Sequence, residues 1–216
     1  WLNFNGVNRR AEVYLNGTLL GKLDGFMHRG HFNVIVHINR DKENVLAVLV
    51  HMPDTPLANQ GSPTYLSSGG WDWMPYVPGL NSGITDKVFL TNTGTATLID
   101  PWIRTNLPTR ARADLSVALD VKNNSVEKTK VLVRGTITPG NIVFQKELDV
   151  NAHTTEQVKF DKRYFPQLCI DQPRLWWPNG YGEPNLYHCK FEVMVDGRVS
   201  ETKDVSFGIK KYSYDK

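Results

Sequence analysis

Apolar and polar residues alternate along most of this chain with a period of two. Runs with that alternation recur at Glu12–Leu15, Phe32–Ile38, Val45–Val50, Val88–Leu90, Leu115–Val121, Lys130–Thr138, Ile142–Leu148, Tyr187–Val195 and Arg198–Phe207. Period two sets one face of an extended segment on a core and the other in water, so each run predicts a strand. The 3.6-residue period of an amphipathic helix is nearly absent. Turn residues stand between the runs at Asn16-Gly17, Pro139-Gly140-Asn141 and Asp196-Gly197. Asn-Gly and Asp-Gly pairs accept the positive φ angles of a two-residue hairpin. Asp196-Gly197, between FEVMV and RVSETKDVSF, is the strongest such signal. Many short strands with turns at regular spacing predict an all-β protein built of β-sandwiches.

The pattern changes character near Thr93–Pro101. Residues 1–97 are rich in Gly, Asn and aromatic side chains, whereas residues 98–216 are a cleaner succession of alternating strands that opens with one at Leu98–Asn106. Two tandem domains are expected on that boundary. The second has about the 100 residues and the strand count of an immunoglobulin-like sandwich, without the Cys…Trp…Cys spacing of antibody domains. In the first, Met52–Gly83 has no periodicity at all. Irregular segments of that length are functional loops or disordered ones, and Tyr65, Trp71, Trp73 and Tyr76 argue against disorder.

Composition narrows the function. A hydrophobic fraction of 40% with 22% charged residues is that of a soluble globular protein. The net charge of +3 comes from 25 Lys+Arg scattered against 22 Asp+Glu, so no basic stripe is present to follow a phosphate backbone, which argues against nucleic acid. No run of about 18 apolar residues is available to span a membrane. The six histidines include His28 and His31 three apart, and His37 and His51 at strand ends, but none has the spacing of a zinc site. Neither a metal nor a cofactor is expected. Cys169 and Cys189 are read as half-buried thiols or as one bridge, and spacing leaves both open. GxSxG, P-loop and GxGxxG motifs are missing, and the glutamates fall in charged, exposed contexts with no evident pair for glycoside hydrolysis. No catalytic residue is expected within these 216 residues.

Two aromatic loops remain. GGWDWMPYVPGLNSGI (Gly69–Ile84) brackets Asp72 with Trp71 and Trp73. The indoles either cap the core or offer a flat face to the C–H face of a sugar while Asp72 accepts hydrogen bonds from its hydroxyls. LWWPNGYGEPNLY (Leu175–Tyr187) repeats the style, and there Trp176 and Trp177 are expected to pack at the base of the domain or against a neighbour.

These segments also resemble a known family. FNGVNRRAEVYLNGTLLGKLDGF (Phe4–Phe26), NVLAVLV (Asn44–Val50) and GWDWMPYVPGLNSGI with DKVFL are similar to the sugar-binding domain of glycoside hydrolase family 2, in its β-mannosidase-like and exo-β-glucosaminidase-like branch. LWWPNGYGEPNLY and VSFGIKK resemble the closing part of that family's immunoglobulin-like domain. The resemblance implies a galactose-binding-like jelly-roll domain over 1–97, with its amino-terminal strands missing, and an immunoglobulin-like domain over 98–216. It further implies that the catalytic barrel, with both catalytic glutamates, lies outside this sequence. On that reading Asp72 and one of Trp71 or Trp73 contact substrate in a pocket completed by the barrel. The parent would be a retaining, exo-acting β-glycosidase, and the family suggests a periplasmic or extracellular bacterial location. The rival expectations are a free-standing carbohydrate-binding module and a structural or adhesive surface sandwich.

Overall fold

The computed structural model describes residues 1–8, 10–25, 28–51 and 83–212. The chain divides into two units, Trp1–Asn92 and Thr93–Lys216.

In the first unit, the alternation is legible from the start: Leu2 and Phe4 are buried and Asn3 between them is not. Their strand β1 (Leu2–Phe4) lies between β5 (Gly30–Phe32) and β8 (Val88–Leu90), antiparallel to both. A short β2 (Val7–Asn8) pairs with β7 (Gly83–Ile84), and β3 (Arg10–Leu15) lies between β4 (Thr18–Asp24) and β6 (Leu46–His51). The three small sheets share one core made of Leu2, Phe4, Val7, Val13, Leu15 and Leu23 with their neighbours. Asn16-Gly17 forms the β3–β4 turn, with φ of 51° and 82°. The Asn16 side chain does more than permit that φ. It accepts the Val45 N–H at 2.9 Å and donates to the His37 carbonyl at 2.8 Å, which fixes the segment leading into β6.

The strand expected over Phe32–Ile38 does not form. β5 ends at Phe32, and the Asn33 carboxamide accepts the Ile35 N–H at 3.0 Å. The Val34 carbonyl then takes the N–H groups of His37 and Ile38, both at 2.9 Å. A local side-chain hydrogen bond has displaced the ladder. Val34 plugs the core, while Ile35 and Val36 are 66% and 81% exposed.

The second unit is a sandwich of two four-stranded sheets. In one, β10 (Arg112–Asn123) pairs on one edge with β9 (Ala96–Thr109), and on the other with β13 (Thr155–Asp161) and then β14 (Cys169–Asp171). The other sheet runs β12 (Ile142–Val150), β11 (Thr129–Thr138), β15 (Tyr187–Val195), β16 (Arg198–Phe207). Alternate residues of both sheets meet in one continuous core, including Leu115, Val117, Leu119, Val133, Phe144 and Phe191. The Phe144 ring lies edge-on to Phe160 at 4.8 Å and to Phe191 at 6.2 Å. Cys169 and Cys189 are both free thiols. They sit on different sheets, and burial pushes the Cys189 thiol up to about 12.

Where β9 begins, the two sheets are joined by one backbone hydrogen bond and a set of side-chain bonds rather than by a ladder. Gly94 donates its N–H to the Ser200 carbonyl at 2.8 Å. The Ser200 hydroxyl accepts the Ala96 N–H at 3.0 Å and donates to the Ala96 carbonyl at 2.6 Å, and a Glu201 carboxylate oxygen accepts the Leu98 N–H. This seam ties β9, in one sheet, to β16, in the other.

Candidate functional site

Trp71, Asp72 and Trp73 lie outside the described residues. The site that the structure does describe is built from the other aromatic loop. Between β14 and β15 the chain makes a hooked excursion held by its own polar groups. The Arg174 N–H donates to the Tyr187 hydroxyl at 2.9 Å, and the Arg174 guanidinium donates to the Asn185 side-chain oxygen at 2.6 Å. The Asn185 amide in turn donates to the Leu175 carbonyl at 3.0 Å. Leu175 bridges in parallel to Ile209, and the Trp176 N–H donates to the Ile209 carbonyl at 3.0 Å. The hook is thereby laid against the segment that follows β16.

Two glycines make room for the indoles. A Cβ on Gly208 would stand 2.8 Å from the Trp176 Cβ and 2.9 Å from its Cγ, and a Cβ on Gly182 would stand 2.8 Å from the Trp177 ring. Gly182 also has φ of 150°, a backbone region almost reserved to glycine. Each indole is therefore backed by bare chain on one side and approached by a cation: the Lys210 ammonium lies 4.2 Å from the Trp176 ring centre, and the Arg110 guanidinium 5.8 Å from that of Trp177. Such cations are drawn by the negative face of the ring. The result is a cleft of about 590 Å³, walled by Leu107, Leu175, Ile209 and both indoles, with Tyr181 and Tyr212 at its rim.

The chemistry available here is recognition. Bond cleavage at a glycoside calls for two carboxyl groups about 5–9.5 Å apart, one of them with a raised pKa. Among the described residues no carboxylate lines the cleft. Elsewhere, Asp114 is held below its usual range chiefly by the hydrogen bond from Lys162, and Asp161 by that from Arg163. Glu12 is held down first by the Tyr14 hydroxyl, which donates to it at 2.6 Å, and then by Lys22 at 2.9 Å. Burial does push Glu201 above its usual range, but this carboxylate faces the Leu98 N–H inside the seam. Among the described residues no three His, Cys, Asp or Glu side chains gather as a metal site, and no helix is long and apolar enough to cross a membrane.

Comparison with known proteins assigns the sandwich. The family model of the glycosyl hydrolases family 2 matches residues 96–210, just over half of the chain. The chain belongs to glycosyl hydrolase family 2. This family 2 chain is 31% identical over 215 residues to an exo-β-D-glucosaminidase of Streptomyces avermitilis, a match that covers 97% of the chain and 23% of that enzyme. It is 29% identical over 219 residues to a mannosylglycoprotein endo-β-mannosidase of Lilium longiflorum, covering 91% of the chain and 22% of the relative. In structure it is similar to the exo-chitosanase of Amycolatopsis orientalis, with a TM-score of 0.80 at 25% identity over 96% of the chain and 23% of that protein. The chain thus spans about a quarter of the length of these family 2 enzymes, and what it matches in them is a non-catalytic β-sandwich portion. Both the cleft and the expected signature segments LWWPNGYGEPNLY and VSFGI fall in or beside the family match. The sequence singled out Trp176 and Trp177 as packing residues, at the base of the domain or against a neighbour, and not as a binding site. It did not point to Arg110 and Lys210, which are far from them along the chain and carry no local pattern.

Proposed function

We propose that the protein containing this chain is a retaining, exo-acting β-glycosidase for glucosaminide-like or mannoside-like substrates, and that this chain helps shape its substrate pocket. One observation carries the reading: a match along 97% of the chain, through both units, to an exo-β-D-glucosaminidase. On this proposal Asp72 accepts hydrogen bonds from hydroxyls of the sugar being cleaved, and Trp71 or Trp73 walls the pocket. The catalytic carboxylates are supplied from outside these residues, and the described carboxylates support that division of labour because each displaced one is tied to a cation, a hydroxyl or the seam.

The test is kinetic. The 216-residue chain should not turn over an aryl β-glucosaminide or β-mannoside. In the longer protein, Asp72→Ala should lower kcat/KM by about 10²-fold, since losing a hydrogen bond to a charged group in a closed pocket costs roughly 1.5–3 kcal/mol. Unchanged kcat/KM would remove Asp72 from the pocket, and turnover by the isolated chain would overturn the non-catalytic assignment.

A further inference from the structure

Two short motifs carry a chemistry that the glycosidase reading does not use. Asn16-Gly17-Thr18 and Asn123-Asn124-Ser125 both have the form Asn-X-Ser/Thr, and no other asparagine of the chain stands in it. That form is the acceptor sequence for N-glycosylation. The sugar comes from a lipid-linked pyrophosphate. The bond from its anomeric carbon to a phosphate oxygen breaks, a new bond forms to the asparagine Nδ2, and Nδ2 releases one hydrogen as a proton. A glycosylated asparagine therefore needs a carboxamide nitrogen free of native bonds and room for a bulky, hydrated group.

Asn123 has neither. It is 0% exposed at the end of β10. Its Nδ2 donates to the Glu127 carbonyl at 2.7 Å, the Val150 carbonyl at 3.1 Å and the Thr129 hydroxyl at 3.2 Å. Its side-chain oxygen accepts the Ser125 N–H at 2.9 Å and the Ser125 hydroxyl at 2.7 Å. Asn and Ser two apart thus serve a turn, in which the asparagine oxygen caps the chain two residues on. Asn16 also uses its nitrogen, donating to the His37 carbonyl at 2.8 Å and to the Asn44 side-chain oxygen at 2.9 Å, but this residue is only half-buried. A sugar on Nδ2 would cost either asparagine native hydrogen bonds. At Asn123 it would also need a space that close-packed interiors do not contain.

We propose that a glycan on Asn123 is incompatible with this fold, and that the protein containing this chain is made where its unfolded chain meets no N-glycosylating enzyme. That place is a cytosol, or an export route that lacks the enzyme. Timing sets the hazard. The Val150 acceptor lies 27 residues beyond Asn123 and is held opposite Thr129 by the pairing of β11 with β12. Chains emerge at about 5–20 residues per second, so the motif is exposed before its partners arrive. A sugar attached in that interval is covalent, and it leaves buried carbonyls without their donor. The glycosidase reading plays no part in this, so either can fail while the other stands.

The test makes the 216-residue chain in a bacterial cytosol and in a eukaryotic secretory host, the latter with and without tunicamycin, which blocks synthesis of the lipid-linked sugar. Mass spectrometry reads glycan occupancy at each asparagine, and resistance to protease reads folding. The cytosolic chain should be resistant. In the secretory host Asn123 should carry glycan in protease-sensitive, retained chains and in no resistant one, and tunicamycin should restore the resistant fraction. T18A removes the acceptor motif at Asn16 through an exposed residue and should leave the chains glycosylated at Asn123 sensitive. S125A removes the other motif and should raise the resistant fraction in that host, with its loss of two hydrogen bonds measured on the cytosolic form. A protease-resistant chain bearing glycan on Asn123 would overturn the proposal. So would Asn123 unoccupied in every fraction, since transfer would then not compete with folding, or a chain that stays sensitive under tunicamycin.

Discussion

Gly135 on β11 lies directly across from Phe144 on β12, and a methyl group on its Cα would stand 2.1 Å from the phenylalanine ring. The missing side chain is the space that the ring occupies. Because Phe144 is 1% exposed and held by Phe160 and Phe191, it has no vacant volume to retreat into. Gly135→Ala should therefore destabilise the sandwich by about 1–3 kcal/mol, the usual cost of overpacking. Urea denaturation measures it. Adding Phe144→Leu should recover part of that loss although it removes apolar area, and failure to recover would place the strain elsewhere.

At Asn16 two contributions can be separated. Its φ of 51° disfavours a Cβ-bearing residue without local polar compensation, and its side chain also holds Val45 and His37. Asn16→Gly keeps the backbone and loses the hydrogen bonds; Asn16→Ala loses both. Stability should fall in the order wild type, Gly, Ala, with about 1–2 kcal/mol between the last two from the left-handed conformation alone. Amide exchange at Val45 should quicken in both variants. An equal loss for the two would mean that the turn carries no backbone strain.

Glu201 gives the sandwich a pH dependence of defined sign. Burial raises its folded pKa above the ordinary 4.5, so between that value and the folded one the native state binds the extra proton. Stability then falls as pH rises through this window. Asp114 acts oppositely: its folded pKa is lowered from 3.8, chiefly by Lys162, so its contribution is present above 3.8 and is lost as pH falls through the folded value. Melting temperatures recorded across the acid range should show both limbs. In Glu201→Gln, whose amide oxygen can still accept the Leu98 N–H, the decline above 4.5 should vanish while the acid limb remains. Persistence of the decline would assign it to another group.

The strands that sequence revealed are those whose alternation and turn agree locally. β15, Asp196-Gly197 and β16 form an antiparallel pair with φ of 48° and 73° at the turn, as the residues predict. Val34-Ile35-Val36 misled, because β-branched residues suggest a strand while one carboxamide, on Asn33, decides for a turn. β13 is not evident in the sequence, since TEQVKFD shows only Val158 and Phe160 as apolar teeth between polar neighbours, and its place is fixed by pairing with β10. The cleft was half legible. Its indoles are conspicuous in sequence, but Gly208 and Arg110, which pack against them, are distant along the chain and are brought there by the fold.

The seam at the start of β9 has a mechanical consequence. Within a sheet, pulling along a strand loads many ladder bonds together, in shear. A pull on the chain at Thr93 instead meets Gly94, Ala96 and Leu98 in succession, each attached to Ser200 or Glu201 by its own short linkage. Ala96 and Leu98 are also paired with Asn123 and Val121 of β10, so the same pull loads that ladder while it works through the seam one linkage at a time. Ala96 and Leu98 are themselves buried in the sandwich core, so freeing the entry strand uncovers that core, and seam and core yield together.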